Sequence, residues 1–196
     1  MNGYDFKEQD DVGKVAVKKC IKFLNTQNKT HAIKDVQEDT GYRELDVDIL
    51  WYQKPSNKEV MIEVKGDTYY RTGNYFFETI SNESKNTPGC FMYTKAKYIF
   101  YLFIPENELH IFETNIVREW FKENINQFEQ KRLFTKVGNE CYYSNGRLVP
   151  RQTVMNTFPD KTKVINLDSY FQNLGKVPIP HPLTSEIIKQ FGGQRI

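Results

Sequence analysis

The fold of this chain turns on residues 46–67, "DVDILWYQKPSNKEVMIEVKGD". Two apolar runs, around Ile49–Tyr52 and Val60–Val64, flank the turn-forming Pro55-Ser56-Asn57-Lys58, and this pattern predicts a β-hairpin. The alternation of its first strand extends over residues 43–53. With the turn at Pro55–Lys58, Lys54 faces Glu59, Asp48 lies opposite Lys65, and Leu50 lies opposite Glu63. Side chains alternate between the faces of a strand, so Asp48, Glu63 and Lys65 emerge on one face. A slip of one residue would move Asp48 to the other side, so this placement depends on the turn. Asp46 shares the face by alternation and is the alternative to Asp48 as a ligand.

Two carboxylates converging on one point repel each other unless a cation sits between them. Oxygen donors of this kind select Mg²⁺ or Mn²⁺. A lysine beside the cation orients its bound water and offsets charge developing on a phosphate. Such a site is suited to hydrolysing a phosphodiester. A Glu-x-Lys pair on an apolar strand also arises wherever an alternating strand exposes a polar face; the Asp across the hairpin sets this one apart.

Upstream, Val12, Val15, Ala16, Cys20, Phe23 and Leu24 recur at helical spacing and predict an amphipathic helix over residues 9–26. Downstream, "NYFFETISNES" (74–84) reads as a short helix that delivers Glu78 to the site. "KYIFYLFI" (97–104) and "LHIFE" (109–113) read as strands, and Ile116, Val117, Trp120, Phe121, Ile125 and Phe128 as a second amphipathic helix. "VGNECYYSNGRLVPRQ" (137–152) reads as a hairpin turning at Asn145-Gly146, and "PIPHPL" (178–183) as an extended proline-rich segment. The order predicts an α/β domain around one mixed sheet flanked by helices, with a core over residues 1–134 and a C-terminal hairpin and extension, 135–196, packed on it. Arg71, Lys85, Lys95 and Lys97 follow the hairpin and are candidates to line a phosphate groove, against the ordinary alternative of a solvated face. Asp67, after Gly66, reads as a turn-capping residue.

The bulk numbers narrow the class. Of 196 residues, 39% are apolar and 27% charged, a globular composition that excludes a disordered chain. The net charge of +2 is no argument for a polyanionic partner, since a local patch matters more than the total. Cys20, Cys90 and Cys141 are scattered without a CxxC pair, so neither a structural zinc site nor a disulfide framework is expected, and reduced thiols fit a cytoplasmic protein. "MNGYDFKEQDD" has no apolar leader core, and no run approaches the roughly 18 apolar residues of a membrane span. No Ser/His/Asp or Cys/His constellation stands out among His31, His110 and His181.

"DVDIL", a short turn and "MIEVKGD" together resemble the PD-(D/E)XK nuclease superfamily, whose motif is an Asp, a hairpin and then Glu-x-Lys. The resemblance covers about residues 8–128. It implies a restriction-endonuclease-like core and a metal-dependent nuclease, with DNA the expected partner and Mg²⁺ or Mn²⁺ the cofactor. Asp48 and Glu63 would be metal ligands with the Val64 carbonyl as a third, Lys65 the catalytic lysine, and Glu78 an assisting acid from the following helix. "GCFMYTKAKYIFYLF" (89–103) is similar to the segment in which phage and resolvase-like members place a glycine-containing turn before a basic strand. A homodimer is one candidate assembly, with residues 135–196 a candidate to mediate it. Val47 stands where the family name has proline, and the first helix carries "GKVAVK" where many members have a Glu, leaving only Glu8 or Asp11 to substitute. A nuclease-fold protein that binds nucleic acid or a protein partner without cleaving is the alternative reading.

Overall fold

A computed structural model describes residues 4–137 and 140–174. In chain order its elements are β1 (Tyr4–Asp5), α1 (Phe6–Asn25), β2 (Thr30–Asp35), α2 (Thr40–Glu44), β3 (Ile49–Gln53), β4 (Lys58–Asp67), β5 (Asn74–Asn82), β6 (Thr87–Pro88), α3 (Cys90–Tyr93), β7 (Tyr98–Phe103), β8 (Glu108–Glu113), α4 (Thr114–Asn124), β9 (Glu129–Val137), β10 (Glu140–Pro150), α5 (Arg151–Thr157), β11 (Thr162–Asn166) and α6 (Leu167–Asn173).

Six strands in the order β11-β8-β7-β4-β3-β2 make a mixed sheet in which β4 and β7 run parallel and the other neighbours antiparallel. Helix α1 covers one face. Its Ala16, Cys20, Phe23 and Leu24 form a helical stripe buried against Ile49, Ile62, Val64, Tyr98 and Phe100. The approach is close: a Cβ on Gly66 would meet the Val12 carbonyl oxygen at 2.9 Å, so glycine is what lets α1 lie on β4. Helix α6 completes the layer, with the Tyr170 ring edge-on to Phe23 at 5.1 Å. The opposite face presents Ile99, Tyr101, Phe103 and Phe112 to Val117 and Phe121 of α4 and to Tyr75 and Phe77 of β5. Burial of each large side chain in this aromatic core contributes about 1.5–3 kcal/mol.

The remaining strands form a second sheet, β1-β9-β10-β5-β6, where the sequence predicts a single one. In β5, Tyr75 and Phe77 are buried while the alternating Phe76 and Glu78 are partly exposed. The helix expected over 74–84 is therefore a strand. Its aromatic and β-branched residues suit a pleated surface covered on one side, and the period of two prevails over the helical reading. The Asn145-Gly146 turn is likewise corrected: both residues lie inside β10, where the pairing with β5 shifts register. Gly146 is there for room, since a Cβ would meet the Phe76 ring at 2.4 Å.

The hairpin of β3 and β4 forms as expected, but its register differs by two residues. Gln53 pairs with Lys58 and Ile49 with Ile62, which carries Asp48 opposite Glu63 instead of Lys65. An offset of two preserves the face, so the co-facial placement survives. The first strand also starts later, because residues 40–44 are helical and Asp46 breaks the extended run. Position 134, the expected core boundary, falls within β9; β10 stands between β9 and β5, and β11 pairs with β8. The proline-rich 178–183 lies outside the described residues.

Candidate active site

Glu63 and Lys65 sit on β4, the third strand from the β2 edge of the six-stranded sheet, flanked by β3 and β7. Glu63 is buried and Lys65 about a third exposed, with Nζ 2.8 Å from Glu63 Oε1. Asp48 precedes β3. Its amide donates to the Ile62 carbonyl at 3.0 Å, and its Oδ2 accepts the Val64 amide at 2.8 Å, tying the carboxylate to β4 beside Glu63.

Asp46 arrives by a different route. After the short α2 it adopts a left-handed backbone, φ 54°, a conformation that Asp tolerates better than most residues. The Thr94 hydroxyl donates to its carbonyl at 2.6 Å and holds the turn against the loop after α3. Its Oδ2 is buried without a hydrogen-bond partner. One ligand atom from each of Asp46, Glu63 and Cys90 lies within 4.8 Å of the others.

Cys90 opens α3, and the wall it belongs to is fixed from two sides. Arg118 of α4 donates through Nε to the Phe91 carbonyl at 2.7 Å and through a terminal nitrogen to the Thr94 carbonyl at 2.8 Å. On the β5 side, a Cβ on Gly89 would meet the Glu78 carbonyl oxygen at 2.4 Å. Backbone thus packs on backbone beside Cys90, and the Glu78 side chain faces a cavity that Ser144 also lines.

Burial dominates the electrostatics. It pushes the Glu63 carboxyl well above its usual range, with Lys65 pulling down and Asp48 and Asp46 pushing further up. Burial also raises Asp48 and Glu78, each opposed by the hydrogen bonds it accepts and by Lys65. The Cys90 thiol is raised by the same loss of water and by the carboxylates around it. For Lys65, burial works against the charged form, but Cys90, Glu63, Asp46 and Glu78 outweigh it and hold the ammonium well above its ordinary value. The carboxylates of Asp46, Asp48, Glu63 and Glu78 all act on this one ammonium or on each other. An excess of acid removed from water is unfavourable unless a proton or a cation neutralises it.

Asp48, Glu63, Lys65 and Glu78 thus lie together, with Glu78 carried by a strand where a helix was expected. Val64, named for its carbonyl, meets the site through its amide. The basic residues do not form one group. The Lys95 amide donates to Leu45 O beside Asp46, and Lys97 lies near Lys58, Glu113 and Lys161 with its pKa lowered by burial. Arg71 follows β4 in a 3₁₀ turn, and Lys85 occupies the turn between β5 and β6. Asp67 caps its turn, accepting the Tyr69 amide and the Tyr101 hydroxyl. Cys90 is the residue that sequence reasoning missed; Gly89 before it is the one local sign of a close approach.

The donor set fits a divalent cation. Asp46 Oδ2 lacks any partner, and two carboxylates face a third donor atom at ligand spacing. The oxygens suit Mg²⁺ or Mn²⁺, and the Cys90 sulfur adds a softer donor that Mn²⁺ accepts more readily than Mg²⁺. Among the described residues no helix is long and apolar enough to cross a membrane. Comparison with protein-family models, with curated proteins and with solved structures found no match for the chain.

Proposed function

We propose that this chain is a metal-dependent nuclease with a restriction-endonuclease-like core, hydrolysing phosphodiester bonds of DNA in the cytoplasm with Mg²⁺ or Mn²⁺. One observation carries the reading: Asp46, Asp48, Glu63 and Glu78 are gathered around Lys65, and the buried Asp46 Oδ2 has no partner of its own. Asp46 and Glu63 would hold the cation with Asp48 beside them. A cation bound there supplies a water of lowered pKa and neutralises charge on the phosphate. Lys65, partly exposed and kept protonated, pairs with a non-bridging phosphate oxygen and stabilises the charge that builds on phosphorus. Asp48, fixed by the Val64 amide, keeps Glu63 and its neighbours in register. Glu78, carried by β5 where its backbone packs on Gly89, assists from that side.

The test is cleavage of plasmid, duplex and single-stranded DNA, with RNA alongside, in Mg²⁺ or Mn²⁺. Cleavage is expected, and Glu63→Ala and Lys65→Ala should each lower its rate about a hundredfold or more. Variants that cut as fast as wild type would refute the assignment. Nucleic-acid binding without cleavage in either metal would support a non-cleaving member of the same fold.

A further inference from the structure

The outer face of the second sheet holds a cavity that shares only Glu78 with the proposed hydrolytic residues. Phe76, Glu78 and Ser81 of β5, Leu133 and Thr135 of β9, and Tyr142 and Ser144 of β10 line a cavity of about 310 Å³. Register explains the grouping: Leu133 pairs with Ser144, and Thr135 with Tyr142, so these side chains stand on one face. The volume lies at the lower end of the ~300–1,000 Å³ range of small-ligand sites. The chemistry of the walls is mixed. Phe76 and Tyr142 offer aromatic surface, Ser144 and Thr135 are buried polar groups, and Glu78 offers a carboxylate.

Glu78 relates this cavity to the candidate active site. Its side chain lines the cavity, and its backbone packs on Gly89, next to the Cys90 that approaches Asp46 and Glu63. A carboxylate has about four lone-pair sites, so Glu78 has acceptor capacity for a ligand in the cavity. We infer that this cavity receives one unstacked nucleobase from the strand being cut, with the base against Phe76 or Tyr142 and its exocyclic amine donating to Glu78. A carboxylate of this kind accepts from the cytosine amine, whereas thymine has only its N3–H, set between two carbonyl oxygens that the carboxylate repels. By register Lys131, opposite Gly146, stands on the same face two residues before Leu133, and would pair with the backbone phosphate of that strand. The inference rests on the nuclease reading for its substrate and adds a base preference to it.

The experiment measures binding apart from cleavage. The full chain, free of divalent metal, is titrated with dCMP and dTMP by calorimetry or chemical-shift perturbation. We expect dCMP to bind more tightly than dTMP, and Tyr142→Leu or Phe76→Leu to weaken dCMP about tenfold. Glu78→Gln, whose amide can pair with either base, should erase the preference. Tyr143→Leu, on the same strand and the opposite face, should leave binding unchanged. The cavity assignment fails if neither mononucleotide binds, if both aromatic variants bind as wild type does, or if Tyr143→Leu weakens binding equally. Thermal melts of each variant identify any that do not fold, and the second aromatic variant then decides. Base-selective binding with no cleavage of any oligonucleotide leaves the cavity assigned and rejects the nuclease. Cleavage that depends on Lys65, without mononucleotide binding, does the reverse.

Discussion

Asp46 has the least ordinary backbone in the centre. A non-glycine residue in the left-handed region costs on the order of 1–3 kcal/mol where its surroundings impose it, and such strain gathers at functional sites. Here it aims a carboxylate at Glu63 and Cys90 with one oxygen left unpaired. Replacing Asp46 by Asn removes one anion from a crowded acidic group. The metal-free protein should therefore melt no lower than wild type, while the stabilisation by Mn²⁺ disappears. In wild type, metal at a hundredfold over its Kd contributes about 2.7 kcal/mol, or roughly 5–10 °C for a chain of this size. A metal-induced rise undiminished in Asp46→Asn would remove Asp46 from the ligand set. The raised carboxyls set the pH response as well. In the window between the ordinary carboxylate range near ~4 and their raised values, the folded metal-free chain holds protons that the unfolded chain has lost. Stability without metal should then fall as pH rises through that window, and the slope should be shallower in Glu63→Gln. Denaturant midpoints in chelator across pH measure this, and equal slopes in the two proteins would count against a protonated Glu63.

Among the elements, the β3–β4 hairpin was readable because alternation is insensitive to an even register offset. The observed pairing is offset by two residues from the expected one, yet Asp48, Glu63 and Lys65 keep their common face. By contrast, "NYFFETIS" was misread because a short apolar run suits either period; what decided it was aromatic packing from β7, β8 and α4. The Asn145-Gly146 signature misled for a related reason, since the glycine serves the Phe76 ring and not a reversal. Cys90 could not be read at all. Its place in the site follows from α3 docking between β5 and α4, which no local pattern encodes. The docking itself makes a prediction. A methyl group at Gly89 would meet the backbone of Glu78, which has no rotamer with which to give way. Gly89→Ala should cost about 1–3 kcal/mol of stability and reduce cleavage, because α3 carries Cys90 into the site and packs against β5 at Glu78. Chemical denaturation alongside the cleavage assay checks both; an unaffected midpoint would mean that the α3–β5 contact is looser than drawn.

Across the whole molecule, the two sheets share one aromatic core, and the C-terminal strands take part in both. Strand β10 supplies the neighbour on which β5 lies, and Val149 and Val154 are fully buried against the β5 aromatics. A chain ending at Phe134 should consequently show no cooperative unfolding, whatever its helix content by circular dichroism. A sharp melt from that fragment would show that residues 1–134 fold alone. The parallel pairing of β4 with β7 has a longer reach. Two parallel neighbours must be joined by a crossover, and here the intervening segment carries β5, β6 and α3. Glu78 and Cys90 both ride on that connection, while Glu63 belongs to the strand it leaves. Evolution can therefore lengthen, shorten or restyle the bridge and change what the site admits, while the hairpin that supplies Asp48, Glu63 and Lys65 stays as it is.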